Sequence, residues 1–412
     1  MAEESACSVD DTVKRSLDDV NTVLTYAKLD AAELHPHIQT IFFSKSLEND
    51  AVKLLELDTD VLCALEAGER VVLRGDKDDT AVLCTKNKTF DLKEAELSNS
   101  MLLLENLSYG PDLPDEGPQE IHHLQASKKN NVKSLQVSAV LHKYFELRII
   151  KPRLQKLKHL LDENQYSGQE CEEDPQHQGK KYTMDDFLNR VQASEQDITD
   201  GLKKLRAFEF KGFWRVLDFD HLSTVLSHVI QLSEEGDWIN TGIPLAECIE
   251  VLQELFPREV IQHVVSCYAV LQENNESEIY RINEDKVCQF YAEVCLRNAG
   301  KFNLQEFLQV WEQSVPLGMK INLSQVEGVA LIDRESKPET ISFFSVEDLP
   351  EEVSERFDYL FDTKKKWTLQ EISPYVSDLT TDKLDVGALL TKYARASVQN
   401  GVKVFSSRKA AS

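Results

Sequence analysis

The first hundred residues alternate between apolar and polar positions in the short runs that are typical of β-strands. Residues 71–74, 81–85 and 89–92 are such runs, and the polar segments 75–79 and 86–88 between them have the composition of turns. Short strands joined by tight turns predict a β-sheet or a partial barrel. Because open strand edges tend to pair with other chains, we expect a partner chain to complete this sheet.

A different pattern follows residues 109–120, which are rich in proline and glycine and indicate a linker. The chain becomes largely helical, and the segment Tyr-Thr-Met-Asp-Asp-Phe at 182–187 is echoed at 302–307 and 367–372, with a weaker copy at 243–248. The echoes recur about every 60 residues, which is typical of a repeat architecture. Their second residues favour helix starts: Thr183, Asn303 and Thr368 as N-caps, and Pro244 in the first turn.

Each repeat predicts the same succession of elements. A helix precedes the echo, the echo opens a second helix, and a third helix leads into a closing strand or hairpin. In the first repeat the third helix covers 195–206, and the hairpin covers 208–217 with Gly212 at its turn. Three helices and a two-stranded hairpin in about 60–70 residues describe a winged helix. The third repeat is degenerate because its third helix shrinks to residues 324–327. An unrelated run of amphipathic helices is the alternative interpretation.

The predicted fold class is α+β, with an N-terminal β-barrel-like module followed by a tandem array of winged-helix domains. Residues 164–181 have almost nothing to bury and are predicted to form a surface insertion. The predicted organisation is a disordered segment at 1–12, a β-rich assembly module at 13–108, the linker at 109–120, a first winged helix at 121–219 that contains the insertion, a second at 220–283, a degenerate one at 284–348 and a C-terminal one at 349–412.

The charge of the chain restricts any nucleic-acid contact to local patches. The 46 Lys and Arg residues are outnumbered by 71 Asp and Glu, and a formal charge of −25 does not suit general polyanion binding. Residues 386–412 contain no acid, and they predict a DNA-binding surface made of Lys392, Arg395, Lys403, Arg408 and Lys409. A second predicted DNA-binding group is Lys203, Lys204 and Arg206, near Lys211 and Arg215, and a third basic run holds Arg148, Lys151, Arg153, Lys156 and Lys158. For these two groups an acidic face of a polymerase and a solvated helix face are the alternatives, and for residues 386–412 the alternative is a solvated or partner-facing end.

The sequence shows no motif for catalysis, so we expect no enzymatic role and no cofactor. It contains no P-loop, no His-Glu-x-x-His segment and no paired Cys/His spacing for zinc. The eight cysteines are scattered without a Cys-x-x-Cys pair, which favours free thiols in a reducing compartment. The acidic N-terminus does not resemble a signal peptide, and no apolar run reaches the roughly 20 residues of a membrane span. We therefore expect a soluble protein of the nucleus or cytoplasm, without membrane contact.

Several segments together resemble one known family: residues 74–78 with 81–84 and 89–93, residues 302–307 with 311–316, and residues 387–393 with 399–404. They are similar to the Dcc family of sister chromatid cohesion proteins, and the similarity extends from about Val13 to Arg408. The resemblance implies a nuclear, non-ATPase subunit of an alternative replication factor C. This clamp loader is built on a Ctf-type large subunit and places PCNA on DNA at replication forks.

The resemblance also implies partners. Residues of roughly 13–110 would belong to a β-barrel module shared with a small Ctf subunit and the C-terminal tail of the large Ctf clamp-loader subunit, in a complex with the replication factor C small subunits. The family's winged helices, usually described as three where four repeats are counted here, contact DNA and the catalytic subunit of DNA polymerase epsilon, and PCNA is reached indirectly. We expect partner-binding side chains on the strands, namely Val71, Leu73, Val82, Leu83, Phe90 and Leu92. A free-standing winged-helix transcription regulator is the alternative function.

Overall fold

The computed structural model describes residues 16–30, 38–43, 47, 52–77, 79–109, 132–173, 179–272, 278–381, 384–399 and 401–409. The predicted disordered segment 1–12 and linker residues 110–120 lie outside the described residues. The chain divides into two compact units, an N-terminal one (Met1–Leu73 with Asp78–Ile150) and a C-terminal one (Arg74–Lys77 with Lys151–Ser412). Helices and several small sheets are both present, which confirms the predicted α+β class.

The described part of the N-terminal unit contains a mixed sheet and two helices. The helices are α1 (Leu17–Ala27) and α2 (Thr59–Glu66). The strands are β1 (Ile38–Phe43), β2 (Leu54–Leu55), β3 (Val72–Arg74), β4 (Val82–Cys84), β5 (Thr89–Leu104) and β6 (Val132–Ile149). The order in the sheet is β1-β6-β5-β4-β3, with β2 also paired to β6. Strands β1 and β2 run parallel to β6, whereas β5 runs antiparallel to both β4 and β6.

A small apolar core supports one part of this sheet. Val61 of α2 packs with Leu83 of β4 and Phe90 of β5, and all three side chains are buried. The path of the described strands has two ends, β1 and β3. These strands therefore form an open sheet and do not close into a barrel, so the described chain by itself does not make the predicted barrel-like module.

Residues 132–149 correct the sequence analysis, which placed them after the linker in a largely helical region. They form strand β6, in which Leu135, Val137, Ala139 and Leu141 are buried and the residues between them are more exposed. The helical interpretation of this segment is wrong because its apolar positions recur every two residues, which is the period of a strand. Arg148, from the third basic run, accordingly lies on a strand.

The C-terminal unit contains four successive repeats. The first comprises α3 (Gln155–Asp162), α4 (Gln169–Glu173), α5 (Met184–Arg190), α6 (Glu195–Lys204), β7 (Phe208–Phe210) and β8 (Phe213–Arg215). The second comprises α7 (Phe219–Glu235), α8 (Trp238–Thr241), β9 (Ile243–Pro244), α9 (Leu245–Leu252), α10 (Arg258–Tyr268), β10 (Ala269–Leu271) and β11 (Ile279–Ile282). The third comprises α11 (Glu284–Ala299), β12 (Lys301–Asn303), α12 (Leu304–Ser314), a 3₁₀ turn (Leu323–Val326), β13 (Ala330–Asp333) and β14 (Thr340–Phe343).

The fourth repeat opens with a 3₁₀ turn at Val346–Asp348. It continues with α13 (Val353–Thr363), β15 (Trp367–Thr368), α14 (Leu369–Val376), a second 3₁₀ turn (Ser377–Leu379), α15 (Val386–Tyr393), β16 (Ala394–Gln399) and β17 (Val402–Ser407). In the second, third and fourth repeats the short strand before the second helix joins the closing hairpin in a three-stranded antiparallel sheet. In the first repeat β7 and β8 pair with each other as a two-stranded hairpin. An isolated bridge between Tyr182 and Trp214 stands where the other repeats have a third strand.

The echoed segments open helices because their second residues cap them. Thr183 and Thr368 form capping boxes with Asp186 and Glu371, each hydroxyl accepting a backbone hydrogen bond while the carboxylate accepts one in return. Asn303 accepts hydrogen bonds from two backbone amides of α12. The three predicted N-caps are therefore confirmed. Pro244 occupies the N-cap position of α9, one residue before the predicted first turn.

The predicted surface insertion at 164–181 is partly buried, which corrects the sequence analysis. Tyr166 is fully buried and contacts the rings of Phe208 and Phe210 at centroid distances of 6.3 and 5.0 Å. The carboxylate of Glu172 on α4 pairs with Arg215, whose side chain is 2% exposed. The polar composition of the segment did not reveal this burial. A single buried tyrosine and one ion pair are enough to fix a short polar segment. Residues 174–178 lie outside the described residues.

Candidate nucleic-acid interface and assembly surface

The predicted C-terminal DNA-binding surface lies on the last helix and closing hairpin of the fourth repeat. Lys392 occupies the last turn of α15, and its ammonium lies 5.0 Å from the ring centroid of Tyr393. Arg395 lies on β16 and Lys403 on β17, where the Lys403 ammonium is 5.4 Å from the ring of Phe405. All three basic residues are exposed. The aromatic rings support the aliphatic stems while the charged ends stay in water.

The hairpin register separates two of these cations. Arg395 is opposite Ser406, whereas Lys403 is opposite Val398, and Ala396 is opposite the buried Phe405. Because side chains alternate between the two faces of a strand, Lys403 shares the face of Phe405, and Arg395 projects from the other face. The basic surface therefore wraps around the hairpin and is not a flat patch.

The other two predicted residues of this surface are tied to the fourth repeat itself. Arg408 donates to the backbone carbonyl oxygens of Ala394 at 3.1 Å and Thr391 at 2.6 Å, so it satisfies carbonyl groups at the end of α15. The ammonium of Lys409 lies 2.5 Å from the Asp358 carboxylate on α13. Both stay exposed, but their charges have local partners.

A run of three lysines just before β15 was missed by the sequence analysis. Lys366 donates a 3.1 Å hydrogen bond to the Gln399 side chain, which places it beside the closing hairpin, and Lys365 is exposed next to it. Lys364 instead pairs with Glu371 at 2.8 Å. Burial alone would raise the pKa of Glu371, but Lys364 and the Thr368 backbone amide outweigh it and lower that pKa. The signal was present in the printed sequence as three consecutive lysines.

The first-repeat group is brought together around a cavity of about 500 Å³. Lys203 and Lys204 occupy the last turn of α6 and are exposed, and Lys203 lies 3.6 Å from Asp200. Arg206 has a positive φ of 53° and donates a 2.9 Å hydrogen bond to the Tyr268 hydroxyl of the second repeat. The cavity is lined by these three cations and by His263, Cys267, Tyr268, Lys286 and Glu293, among others.

Arg206 is not a free surface cation. Besides Tyr268, its guanidinium lies 4.0 Å from the Glu347 carboxylate. Burial opposes its charge, but the neighbouring Tyr268, Glu347 and Glu293 hold the pKa of Arg206 above its ordinary value. Arg215, which the sequence analysis placed near the same basic group, is buried against Glu172, so its side chain is not available to DNA.

Three of the six predicted partner-binding side chains lie in the N-terminal unit's own interior. Val82, Leu83 and Phe90 are each 5% exposed or less, so they are buried within the chain itself, and their contact with a partner stays a prediction. Leu83 and Phe90 pack against Val61 of α2. Val71 and Leu92 are half-buried at the same core.

The sheet also carries apolar side chains that are exposed. Leu73 on β3, one end of the strand path, is 64% exposed. At the other end, on β1, Ile41 is 46% and Phe43 is 59% exposed, and Met101 on β5 is 46% exposed. Of these, the sequence analysis found only Leu73. The apolar run of β1 was visible in the sequence, but nothing in it distinguished an exposed strand from a buried one.

The described residues contain no group of three or more His, Cys, Asp or Glu arranged to hold a metal ion. His263 lies 3.6 Å from the Cys267 sulfur, but burial lowers the pKa of His263 to about 4 and burial also raises the pKa of Cys267. Both groups are therefore neutral near pH 7, unlike an activated thiolate pair. No helix in the described chain is long and apolar enough to cross a membrane.

The fold and these surfaces define an α+β protein in which helix-and-hairpin repeats carrying exposed cations follow an open sheet with exposed apolar side chains. The chain belongs to the family of the sister chromatid cohesion protein Dcc1, whose family model matches residues 52–376. The family resemblance inferred from the sequence is thereby confirmed, and the family's role is in sister chromatid cohesion.

Curated relatives from two vertebrates match nearly the whole chain, and one from yeast matches about half of it. The sister chromatid cohesion protein DCC1 of Xenopus tropicalis is 42% identical over 400 residues, which cover 96% of this chain and 99% of the relative. The protein of the same name from Homo sapiens gives the same identity and coverage. The one from Saccharomyces cerevisiae is 23% identical over 241 residues, covering 55% of this chain and 62% of the relative.

Proposed function

We propose that this chain is a non-catalytic scaffold subunit of an alternative replication factor C complex that loads PCNA on DNA at replication forks. In this role it links the loader to the catalytic subunit of DNA polymerase epsilon, supports sister chromatid cohesion and works in the nucleus. The observation that carries the proposal is the division of surface chemistry within the chain. Apolar side chains are exposed on an open sheet in one unit, and basic side chains are exposed on hairpin-bearing repeats in the other.

We interpret the four repeats as winged helices. The support is their common element order, in which a capped second helix follows a short strand and two closing strands join that strand in an antiparallel sheet. The third repeat is the degenerate one, since a single 3₁₀ turn at Leu323–Val326 stands where the others have a third helix. The first repeat is proposed to begin at Lys151, after strand β6, and the fourth at Val346. The proposed repeats are therefore 151–218, 219–283, 284–345 and 346–412, in place of the 121–219, 220–283, 284–348 and 349–412 given from the sequence.

The proposed DNA-binding residues of the fourth repeat are Lys392, Arg395 and Lys403, joined by Lys365 and Lys366. Basic residues on both faces of a hairpin can contact DNA phosphates on either side of it. Contacts to phosphates do not by themselves distinguish one base sequence from another. Lys203 and Lys204 form a second proposed contact. Arg408 and Lys409 add positive charge but are held by local partners.

Assembly is proposed to use the two ends of the N-terminal sheet. Strands β1 and β3 end the described strand path, and Phe43 and Leu73 on them are exposed. Unpaired strand edges bind added strands through backbone hydrogen bonds, while exposed apolar side chains supply the buried area. The proposed occupants are the small Ctf subunit and the C-terminal tail of the large Ctf clamp-loader subunit, which connect the chain to the replication factor C small subunits.

The DNA contact is tested by the salt dependence of binding to the full chain. Fluorescence anisotropy with a labelled duplex compares wild type with the triple variant K392Q/R395Q/K403Q between 50 and 200 mM NaCl. Each lost phosphate contact makes the slope of log K against log salt shallower by about 0.9, so we expect a change of up to about 2.7. The control variant K301Q/K320Q/K337Q removes the same charge from exposed positions of the third repeat. Equal slopes for the two variants would contradict the proposed contact.

A further inference from the structure

Consecutive repeats of the C-terminal unit are joined by apolar packing. Phe208 and Phe210 of the first repeat belong to the hydrophobic core of the second, and so does Phe290 of the third. Leu331 of the third repeat packs against the core of the fourth, where the Tyr375 hydroxyl donates a 2.7 Å hydrogen bond to the Ala330 carbonyl oxygen. These three junctions bury apolar surface, so salt weakens them little.

The first and fourth repeats also meet, but through polar groups. Lys158 on α3 lies 3.0 Å from the Asp348 carboxylate and donates a 2.9 Å hydrogen bond to the Glu347 carbonyl oxygen. Further contacts join Lys151 to the Asp378 carbonyl oxygen at 2.6 Å, the Leu154 amide to the Glu351 carboxylate at 3.0 Å, and Arg206 to the Glu347 carboxylate at 4.0 Å. We call this set the closing contact.

The direct contacts across the closing contact that the described residues show are polar. Among the described residues, the main hydrophobic cluster of the first repeat and that of the fourth share no member. Cavities of about 380 and 290 Å³ lie beside the contact, and Lys158, Glu347 and Asp348 line both of them. The Lys158–Asp348 and Arg206–Glu347 pairs are partly exposed, and ion pairs of that kind are weak and are screened by salt. The contact is therefore the junction of this unit that opens most easily.

Charge is separated across the closing contact. One side carries the cations Lys151, Lys158 and Arg206, and the other carries the carboxylates of Glu347, Asp348 and Glu351. Lys204 is close enough to oppose the charge of Lys151, whose pKa is lowered, chiefly by burial and against the attraction of Asp378. Carboxylate oxygens accept the same charge-assisted hydrogen bonds as phosphate oxygens. Asp348 and Glu347 thus occupy positions on Lys158 and Arg206 that suit phosphate oxygens.

We propose that Lys151, Lys158 and Arg206 form a latent binding face for the DNA phosphate backbone. In the closed unit Asp348 covers Lys158, Glu347 covers Arg206, and the Asp378 carbonyl oxygen holds Lys151. This inference rests on the proposed function in that it takes DNA as the ligand. Opening the closing contact uncovers the face, and phosphate oxygens then replace these protein oxygens on the same cations. The fourth repeat's basic surface remains available in both states, because none of its exposed cations takes part in the closing contact.

The first test measures opening in the full chain. A carbodiimide couples amines to carboxylates that are already in contact, and the Lys158–Asp348 amide is counted by mass spectrometry. We expect the yield to fall at least about 5-fold between 50 and 500 mM NaCl, because the pair is screened. The Lys181–Glu172 amide serves as the reference. Glu172 is in the same repeat and is also fixed by the buried Arg215. A Lys158–Asp348 yield that follows the reference would overturn the proposal.

The second test measures the latent face directly. The variants are E347K/D348K/E351K and the milder E347Q/D348N/E351Q, and the control E250K/E254K/E312K matches the charge of the first at exposed acids elsewhere. We expect the lysine variant to bind a labelled duplex at least about 10-fold more tightly than its control, with a salt slope steeper by up to about 2.7 for three added phosphate contacts. The milder variant, compared with wild type, should show a smaller gain in the same direction.

Adding K151Q/K158Q/R206Q to the open variants should abolish the gain, because it removes the proposed face. The proposal is overturned if the open variants bind no better than their references, or if the gain survives this addition. These comparisons use affinity ratios, so they are independent of the fourth-repeat slope test. If K392Q/R395Q/K403Q leaves the slope unchanged, the proposed DNA surface fails while the latent face is still decided by its own variants. Melting temperatures near wild type establish that the open variants are folded.

Discussion

Arg215 gives the sharpest test of whether a basic residue of the first repeat is structural or functional. Its side chain is 2% exposed, and Nη1 lies 2.7 Å from the Glu172 carboxylate. Nε and Nη2 donate 2.9 Å hydrogen bonds to the backbone and side-chain oxygens of Asn164. The guanidinium also lies 5.7 Å from the ring of Tyr166. Replacement by methionine keeps a long apolar stem but removes every one of these polar contacts.

The expected cost follows from burial. Removing one member of a buried ion pair leaves an uncompensated buried charge and costs about 3–5 kcal/mol. Glu172 keeps only Lys181, at 2.5 Å, as its basic partner. In the intact chain, burial alone would raise the pKa of Glu172, but its hydrogen bonds from Lys181 and Arg215 outweigh this and lower the pKa. Arg215→Met should therefore lose about 3–5 kcal/mol of unfolding free energy, and adding Glu172→Gln should recover part of that loss.

Urea denaturation at pH 7 measures this effect, with Arg334→Met as the matched control. Arg334 pairs with Glu339 at 3.4 Å, but both side chains are exposed, so its loss should cost less than about 1 kcal/mol. A cost for Arg215→Met no larger than that of the control would refute the structural assignment. A normal stability combined with a shallower salt slope in DNA binding would show that Arg215 faces DNA, as its place in the basic run suggested.

Three further predictions concern smaller features. Thr368→Ala removes the capping hydroxyl of α14 and should cost about 1 kcal/mol in urea denaturation; an unchanged midpoint would mean that the cap is redundant. Burial lowers the pKa of His263 to about 4. Between about pH 6.5 and 4 the unfolded chain therefore binds a proton that the folded chain does not. The free energy of unfolding falls as the pH falls through this range. His263→Phe, which keeps a ring beside Phe208, should make the fall in melting temperature shallower, and an identical pH profile would contradict this. Phe43→Glu and Leu73→Glu should change the unfolding free energy by less than about 0.5 kcal/mol but reduce capture of the co-expressed partner chains, whereas undiminished capture would exclude these two sites.

Local chemistry made part of this structure predictable. The caps at Thr183, Asn303 and Thr368 and the turn at Gly212 depend on neighbouring residues, so their sequence signals carry over directly. The 3₁₀ turn in the third repeat was likewise visible as a shortened helix. Repetition of these signals along the chain predicted four units of similar construction.

Long-range pairing made the rest unpredictable. Strand β6 follows residues 110–131 in the chain. The alternation of its apolar positions went unrecognised because a helical pattern follows directly after it. Whether a cation faces solvent depends on acids far along the chain, since Asp348 lies 190 residues from Lys158 and Glu347 lies beside Arg206. Basic runs therefore located positive charge correctly, but could not separate the exposed Lys392 from the paired Lys409.

We propose above that this chain acts as a scaffold through partners bound to its N-terminal sheet. The most direct measurement is size-exclusion chromatography with light scattering on the full chain, alone and co-expressed with the small Ctf subunit and the large subunit's C-terminal tail. We expect a stable complex with one copy of each chain, weakened by Phe43→Glu and Leu73→Glu. A chain that elutes as a monomer and ignores both partners would contradict it.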